Sequence, residues 1–141
     1  MKTLVLVMLL AITNYIAHSQ ESTGIDITVQ INNVKNDNGF VILGLHNQET
    51  FTNTETPALK RIQGKIKDGK IEVVFKSVPK GDYAIMVVHD ENANNRMDFE
   101  LNGMPKEAYG MSNNNMSFGP PMFEDAKFNV ADKNLDLEIR L

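Results

Sequence analysis

The chain contains no cysteine and no tryptophan. The first absence excludes disulfides, thiolate metal ligands, a cysteine nucleophile and a lipid-bearing cysteine, so the fold must stand on its apolar core. Any metal would be held by oxygen or by histidine, and histidine is scarce: there are three, at positions 18, 46 and 89. Positive charge is also short, with 14 Lys and Arg against 18 Asp and Glu and a net charge of −4. That balance argues against nucleic acid and against an anionic membrane surface as partners. Long apolar runs are absent except near the start, where Thr3 to Ile16 follows Lys2 and precedes Ala17-His18-Ser19. The run is shorter than the roughly 20 residues a membrane span needs, and its flanks are those of a signal peptide. The expectation is a signal peptide at residues 1–19 and one domain at 20–141, exported to the periplasm or beyond the cell, with no membrane insertion.

What remains is strand after strand. Ile25, Ile27, Val29 and Ile31 alternate with Asp26, Thr28 and Gln30, a period of two that suits one buried sheet face. Phe40 to Leu45 is apolar on both faces and follows the turn cluster Asn36-Asp37-Asn38-Gly39, so it is expected to pair with the first strand as a hairpin. Asp68-Gly69 divides two further alternating runs, Lys60 to Lys67 and Lys70 to Lys76, which read as another hairpin. A turn at Val78 to Gly81 leads into a fifth strand, Asp82 to His89. Ala126 to Val130 and Leu135 to Leu141 complete about seven strands, with Gln48 to Pro57 read as a loop and no helix expected. Short strands with one apolar face need a second sheet to cover it. The fold class expected is therefore all-β: an antiparallel β-sandwich, immunoglobulin-like or transthyretin-like, with one long loop.

That loop, Glu91 to Asp125, exceeds the usual connection of a compact domain and carries seven asparagines between Asn92 and Asn115. Its entry is the most informative stretch of the chain. Counted from Asp90, oxygen-bearing side chains fall at the first, third and fifth positions (Asp90, Asn92, Asn94), Arg96 offers a backbone carbonyl at the seventh, and Asp98 stands at the ninth. This is the spacing by which a tight loop wraps a calcium ion, because alternate short side chains reach inward without distorting the backbone. Asn95 takes the sixth position, where glycine is usual, and tolerates a left-handed conformation. The closing bidentate glutamate is missing: Leu101 occupies the twelfth position and Glu100 lies one residue earlier. A Ca²⁺ site of modest affinity at Asp90, Asn92, Asn94, Arg96 and Asp98 is therefore expected. The competing reading is a series of Asx-turns that staple an exposed loop without an ion.

Catalytic signals are thin. Ser112 sits in Gly110-Met111-Ser112-Asn113, which is not a nucleophile elbow, no zinc-protease pair occurs, and Glu124 and Asp125 are sequence neighbours that would diverge. His46 and His89 end two different strands, and antiparallel neighbours would hold them at opposite edges. The runner-up function is an extracytoplasmic hydrolase using residues 89–125, with His89 as base. Tyr109, Phe118 and Phe123 are expected to anchor the loop to the body of the domain.

Taken in order, Val78-Pro79-Lys80-Gly81-Asp82-Tyr83-Ala84, His89-Asp90-Glu91-Asn92-Ala93-Asn94, Gly103-Met104-Pro105-Lys106-Glu107 with Tyr109-Gly110, and Gly119-Pro120-Pro121-Met122-Phe123-Glu124-Asp125-Ala126 resemble the exported bacterial family known as domain of unknown function 2141. The resemblance implies export and a sandwich domain and brings no catalytic residues. The turn and strand around Pro79 to Tyr83 also resemble, more loosely, transthyretin-like and carboxypeptidase-regulatory modules. Transthyretin-like hydrolases of a urate breakdown product end in Tyr-Arg-Gly-Ser, whereas this chain ends Ile139-Arg140-Leu141. The functional expectation is an exported binding or structural module whose calcium loop holds a surface for an envelope protein or glycan.

Overall fold

A computed structural model describes residues 24–53, 55–115 and 119–141. The expected signal peptide and the Phe118 anchor lie outside the described residues. Among the described residues the protein is mostly β, with eight strands in two sheets. One sheet has the order β4-β1-β8, built from β4 (Ile71–Val78), β1 (Ile25–Ile31) and β8 (Leu135–Glu138). The other has the order β3-β2-β5-β6, built from β3 (Lys60–Gly64), β2 (Phe40–His46), β5 (Gly81–Asp90) and β6 (Tyr109–Met111), and β7 (Phe128–Val130) pairs with the first residues of β5. Ile27, Val29, Ile31, Val73 and Phe75 of the first sheet share one buried core with Val41, Leu43, Leu45, Ile85 and Val87 of the second. The period-two patterns thus choose the buried faces as expected.

Pairing departs from the local signals at three places. β1 and β2 form no hairpin; β1 pairs with β4 and β8, while β2 pairs with β3 and β5. The Asp68-Gly69 turn does form, with φ of 54° and 70° and reciprocal Lys67–Lys70 backbone bonds of 2.9 and 3.1 Å. Beyond that single bridge its two strands separate into opposite sheets, because β3 completes the face of β2 while β4 completes the face of β1. Finally, β1 and β8 run parallel, so the sheets are not wholly antiparallel.

Helices also appear where loop was expected. In α1 (Gln48–Thr52) Asn47 accepts from the Thr50 amide at 2.9 Å, and the Thr50 hydroxyl accepts from the Asn47 amide at 3.2 Å. This reciprocal cap starts a helix of one turn. The long loop is ordered too: it contains β6, a 3₁₀ turn at Ser112–Asn114 and α2 (Phe123–Ala126). β6 adds a strand beside β5, and on the outer face of β5 Ala84 and Met86 pack with Met111, Phe123, Ala126 and Phe51 in a second, smaller cluster. Of the anchors expected, Phe123 is buried there and Tyr109 is half-buried in β6. β5 therefore has two apolar faces, and the chain leaves its far end at Asp90.

Candidate functional site

Asp90 is the last residue of β5, opposite Phe40, and is fully buried. Gly39 makes the close approach possible: a Cβ there would stand 1.9 Å from the Asp90 carbonyl oxygen. The Asp90 carboxylate accepts the Asn94 amide at 3.1 Å and the Asn95 amide at 2.7 Å, pulling the next residues back over the strand end. Asn92 Oδ1 then accepts the Asn94 amide, and Asn94 Oδ1 accepts the Arg96 amide, each at 3.1 Å. Ala93 and Asn95 take the left-handed conformation, with φ of 59° and 68°. The sixth position thus behaves as the spacing requires. β3 pins it from outside: Arg61 donates to the Asn95 carbonyl at 3.2 Å and Gln63 to its side-chain oxygen at 3.3 Å.

The alternate side chains converge. Asn92 Nδ2 and Asn94 Nδ2 reach the same Asp98 oxygen, Oδ2, at 2.6 and 2.7 Å, while Arg96 Nε lies 3.4 Å from Oδ1. The Asn92 amide, joined by Asn94 and Arg96, holds the Asp98 carboxyl below its ordinary range against an opposing effect of burial. Asp98 therefore keeps its negative charge in mild acid. Each asparagine oxygen uses one lone pair on a backbone amide and retains a second. Glu100 stands apart, 4.0 Å from Lys106. Among the described residues no three His, Cys, Asp or Glu side chains group closely enough to hold a metal ion; what meets at the Asp98 carboxylate is two side-chain amide nitrogens and the Arg96 guanidinium.

Glu107 was not foreseen. It is buried, and its carboxylate accepts the Glu91 amide and the Asp98 amide, both at 3.2 Å, thereby tying the two ends of the loop. Asn102-Gly103 could have revealed it, since that dipeptide is the strongest short hairpin signal. It turns a small hairpin in which Phe99 bridges Pro105 and the Lys106 amide donates to the Asp98 carbonyl at 2.8 Å, which returns Glu107 to the loop. Glu107→Gln keeps one acceptor and turns an amide nitrogen toward a backbone N–H. A loss of about 1–2 kcal/mol in urea unfolding is expected.

The histidines are separate from this site. Along β5, neighbouring side chains point to opposite faces, so His89 turns inward while Asp90 turns outward. His89 Nε2 donates to the Asn38 carbonyl at 2.9 Å, and Nδ1 is buried without a partner among the described atoms. His46 pairs with Ala84 and His89 with Val41, five residues apart along β2, or about 17 Å. Ser112, also buried, bonds only main-chain groups in what is described.

A family described as "uncharacterized protein conserved in bacteria (DUF2141)" matches residues 29–138. The chain belongs to this family. The DUF2141 match includes the whole of the Asp90–Asp98 loop, its Asn102-Gly103 hairpin and Glu107. A comparison with curated proteins found no match. Among solved structures, the DUF2141 chain is similar to a pilus-presented adhesin, Spy0125 (Cpa), at 12% identity and a TM-score of 0.27, over 84% of this chain and 26% of that one. It thus spans about a quarter of the adhesin chain.

Proposed function

We propose that residues 90–98 bind Ca²⁺ through Asp90, Asn92, Asn94, the Arg96 carbonyl and Asp98, in an exported binding module whose fold is immunoglobulin-like or transthyretin-like. The observation that carries this reading is the aim of Asn92 and Asn94 at one Asp98 oxygen, at 2.6 and 2.7 Å. A hard cation takes oxygen ligands, so binding here requires each side-chain amide to turn its Oδ1 toward Asp98, away from the backbone N–H that it accepts in the free loop. The ion's role is structural. Asp98 belongs both to the loop, by its side chain, and to the 98–107 hairpin, by its backbone bonds to Lys106 and Glu107. An ion on Asp98 therefore stiffens the hairpin, which holds Phe99, Leu101 and Met104 exposed. Three apolar side chains on an ordered projection form a contact surface, and the partner we assign to it is a protein or glycan of the cell envelope.

Catalysis gains less support, since His89 faces away from the loop carboxylates. Calcium titration by calorimetry tests the reading: millimolar or tighter binding by the wild type, lost in Asp98→Ala, is the expected result. No heat at several times the about 1 mM dissociation constant of weak extracellular sites would end it.

A further inference from the structure

We propose that the free edge of β4 is a homodimer interface: β4 of one copy pairs antiparallel with β4 of a second across a two-fold axis, joining the two three-stranded sheets into one. The direction of the main-chain groups along β4 follows from its neighbour. The Gln30 carbonyl of β1 accepts the Ile139 amide, just past β8, at 3.0 Å, so Gln30 serves the β8 side while Val29 and Ile31 serve β4. Their partners Val73 and Ile71 face back to β1, which turns the main-chain groups of Glu72, Val74 and Lys76 outward. The Lys76 carbonyl shows it, since it accepts from the Lys60 ammonium of β3. Among the described residues no other hydrogen bond reaches the main chain of these three from outside the sheet. The opposite edge of the same sheet is closed: Asn114 donates to the Glu138 carbonyl at 2.8 Å and accepts the Arg140 amide at 2.7 Å, as a neighbouring strand would.

The side chains along the open edge are self-complementary. Glu72 and Lys76 are exposed on the outer face, with half-buried Val74 between them. With Val74 opposite its own copy, Glu72 of each protomer stands opposite Lys76 of the other, so the two-fold axis repeats one attractive pair twice. Other registers lose this. Centring the pair on Glu72 sets that carboxylate against itself, and centring it on Val73 sets Lys76 against Lys70. Within a protomer Glu72 accepts from Gln30 at 2.8 Å and Lys76 donates to Asp26 at 2.7 Å, and both groups keep capacity for a partner across the edge. The Lys76 carbonyl has a second lone pair, so the Lys60 ammonium need not leave.

Sedimentation equilibrium from about 10 μM to about 1 mM protein, in chelator so that the calcium reading plays no part, tests the pairing over the affinity range of a small interface. The wild-type mass should climb toward that of a dimer. Glu72→Lys and Lys76→Glu should each weaken association at least about tenfold, because each turns both attractive pairs into repulsive ones. Mixed in equal amounts the two variants should associate again, since the charges that meet across the edge are then opposite in sign. A wild type that stays monomeric overturns the proposal and leaves Lys60 as a guard against edge pairing. Association that survives both reversals overturns it too, because it would run through another face, and so does a mixture that stays apart. Should a reversal fail to fold, Val74→Pro decides: it removes only an outward amide, which an edge strand tolerates, so the variant should fold and stay monomeric. A Val74→Pro dimer as tight as that of the wild type refutes the edge.

Discussion

In about 10 mM calcium the wild-type protein should unfold about 1.5–3 kcal/mol harder than in chelator, and Asp90→Ala should abolish the difference. The figure follows from mass action with a dissociation constant of roughly 0.1–1 mM, and for a domain of this size it raises Tm by roughly 5–10 °C. Asp90 contributes twice, because its carboxylate also accepts the Asn94 and Asn95 amides at a position closed to water. The alanine variant should therefore be less stable even in chelator, by about 1.5–3 kcal/mol, although the donors that it leaves are on an exposed loop. Asp98→Ala separates the two contributions. Its partners Asn92 and Asn94 are exposed and can turn to solvent, so the calcium increment should vanish with little penalty in chelator. Magnesium should stabilise less, since it demands a tighter octahedron than this loop offers. If wild type and Asp90→Ala melt with the same calcium dependence, the carboxylate is only a staple for an Asx-turn loop.

The local signals of the sequence located most strands and misjudged what lies beside them. Period-two alternation marks a buried face wherever the strand goes, which is why Ile27, Val29 and Ile31 were legible as core. Asp68-Gly69 marks a reversal, and a reversal occurs. Neither signal encodes whether the outgoing strand stays in the same sheet, because that depends on which neighbour completes each apolar face. The parallel contact of β1 with β8 joins positions 108 residues apart, such as Ile27 and Leu135, and no local pattern reports it. α1 escaped notice because its cap is Asn47 with Thr50, where a sequence reading looks for Glu or Gln at the third position.

The candidate site divides in the same way. Asp90, Asn92, Asn94, Asn95 and Asp98 fall within one short stretch, residues 90–98, so their nearness is legible in their spacing. Glu107, Arg61 and Gln63 reach the loop from elsewhere in the chain and carry no sign of it locally. The length of the segment is the sign that the rest is ordered, since a compact domain rarely keeps a structureless loop of this size. Asparagine side chains replace the missing ladder bonds there: Asn113 donates to the Asp125 and Lys127 carbonyls, while Asn114 bonds both the Glu138 carbonyl and the Arg140 amide. The asparagine-rich composition is thus a means of ordering backbone, which a reading of the loop as a ligand site alone would overlook.

Ser112→Ala should cost more than any exposed change in that segment, about 2–5 kcal/mol, because one hydroxyl satisfies two buried main-chain groups. Its Oγ accepts the Ile85 amide at 3.0 Å and donates to the Ala126 carbonyl, so it ties β5 to the end of α2 where neither belongs to the other's ladder. Ser112 is 0% exposed, and water cannot take the place of the lost bonds without opening the smaller core of Ala84, Met111, Phe123 and Ala126. Removing one partner strands the other at its full desolvation cost, which is why the expected loss exceeds that of an ordinary hydrogen bond. Urea unfolding of Ser112→Ala measures it directly, with Ser112→Cys as the comparison that keeps a weaker donor and acceptor. An alanine variant within about 0.5 kcal/mol of wild type, the range of a neutral surface change, would mean that β6 and α2 are held by apolar packing and that the hydroxyl is incidental. A large loss, with the cysteine variant between, would make Ser112 the bolt that turns a long connection into a wall of the domain.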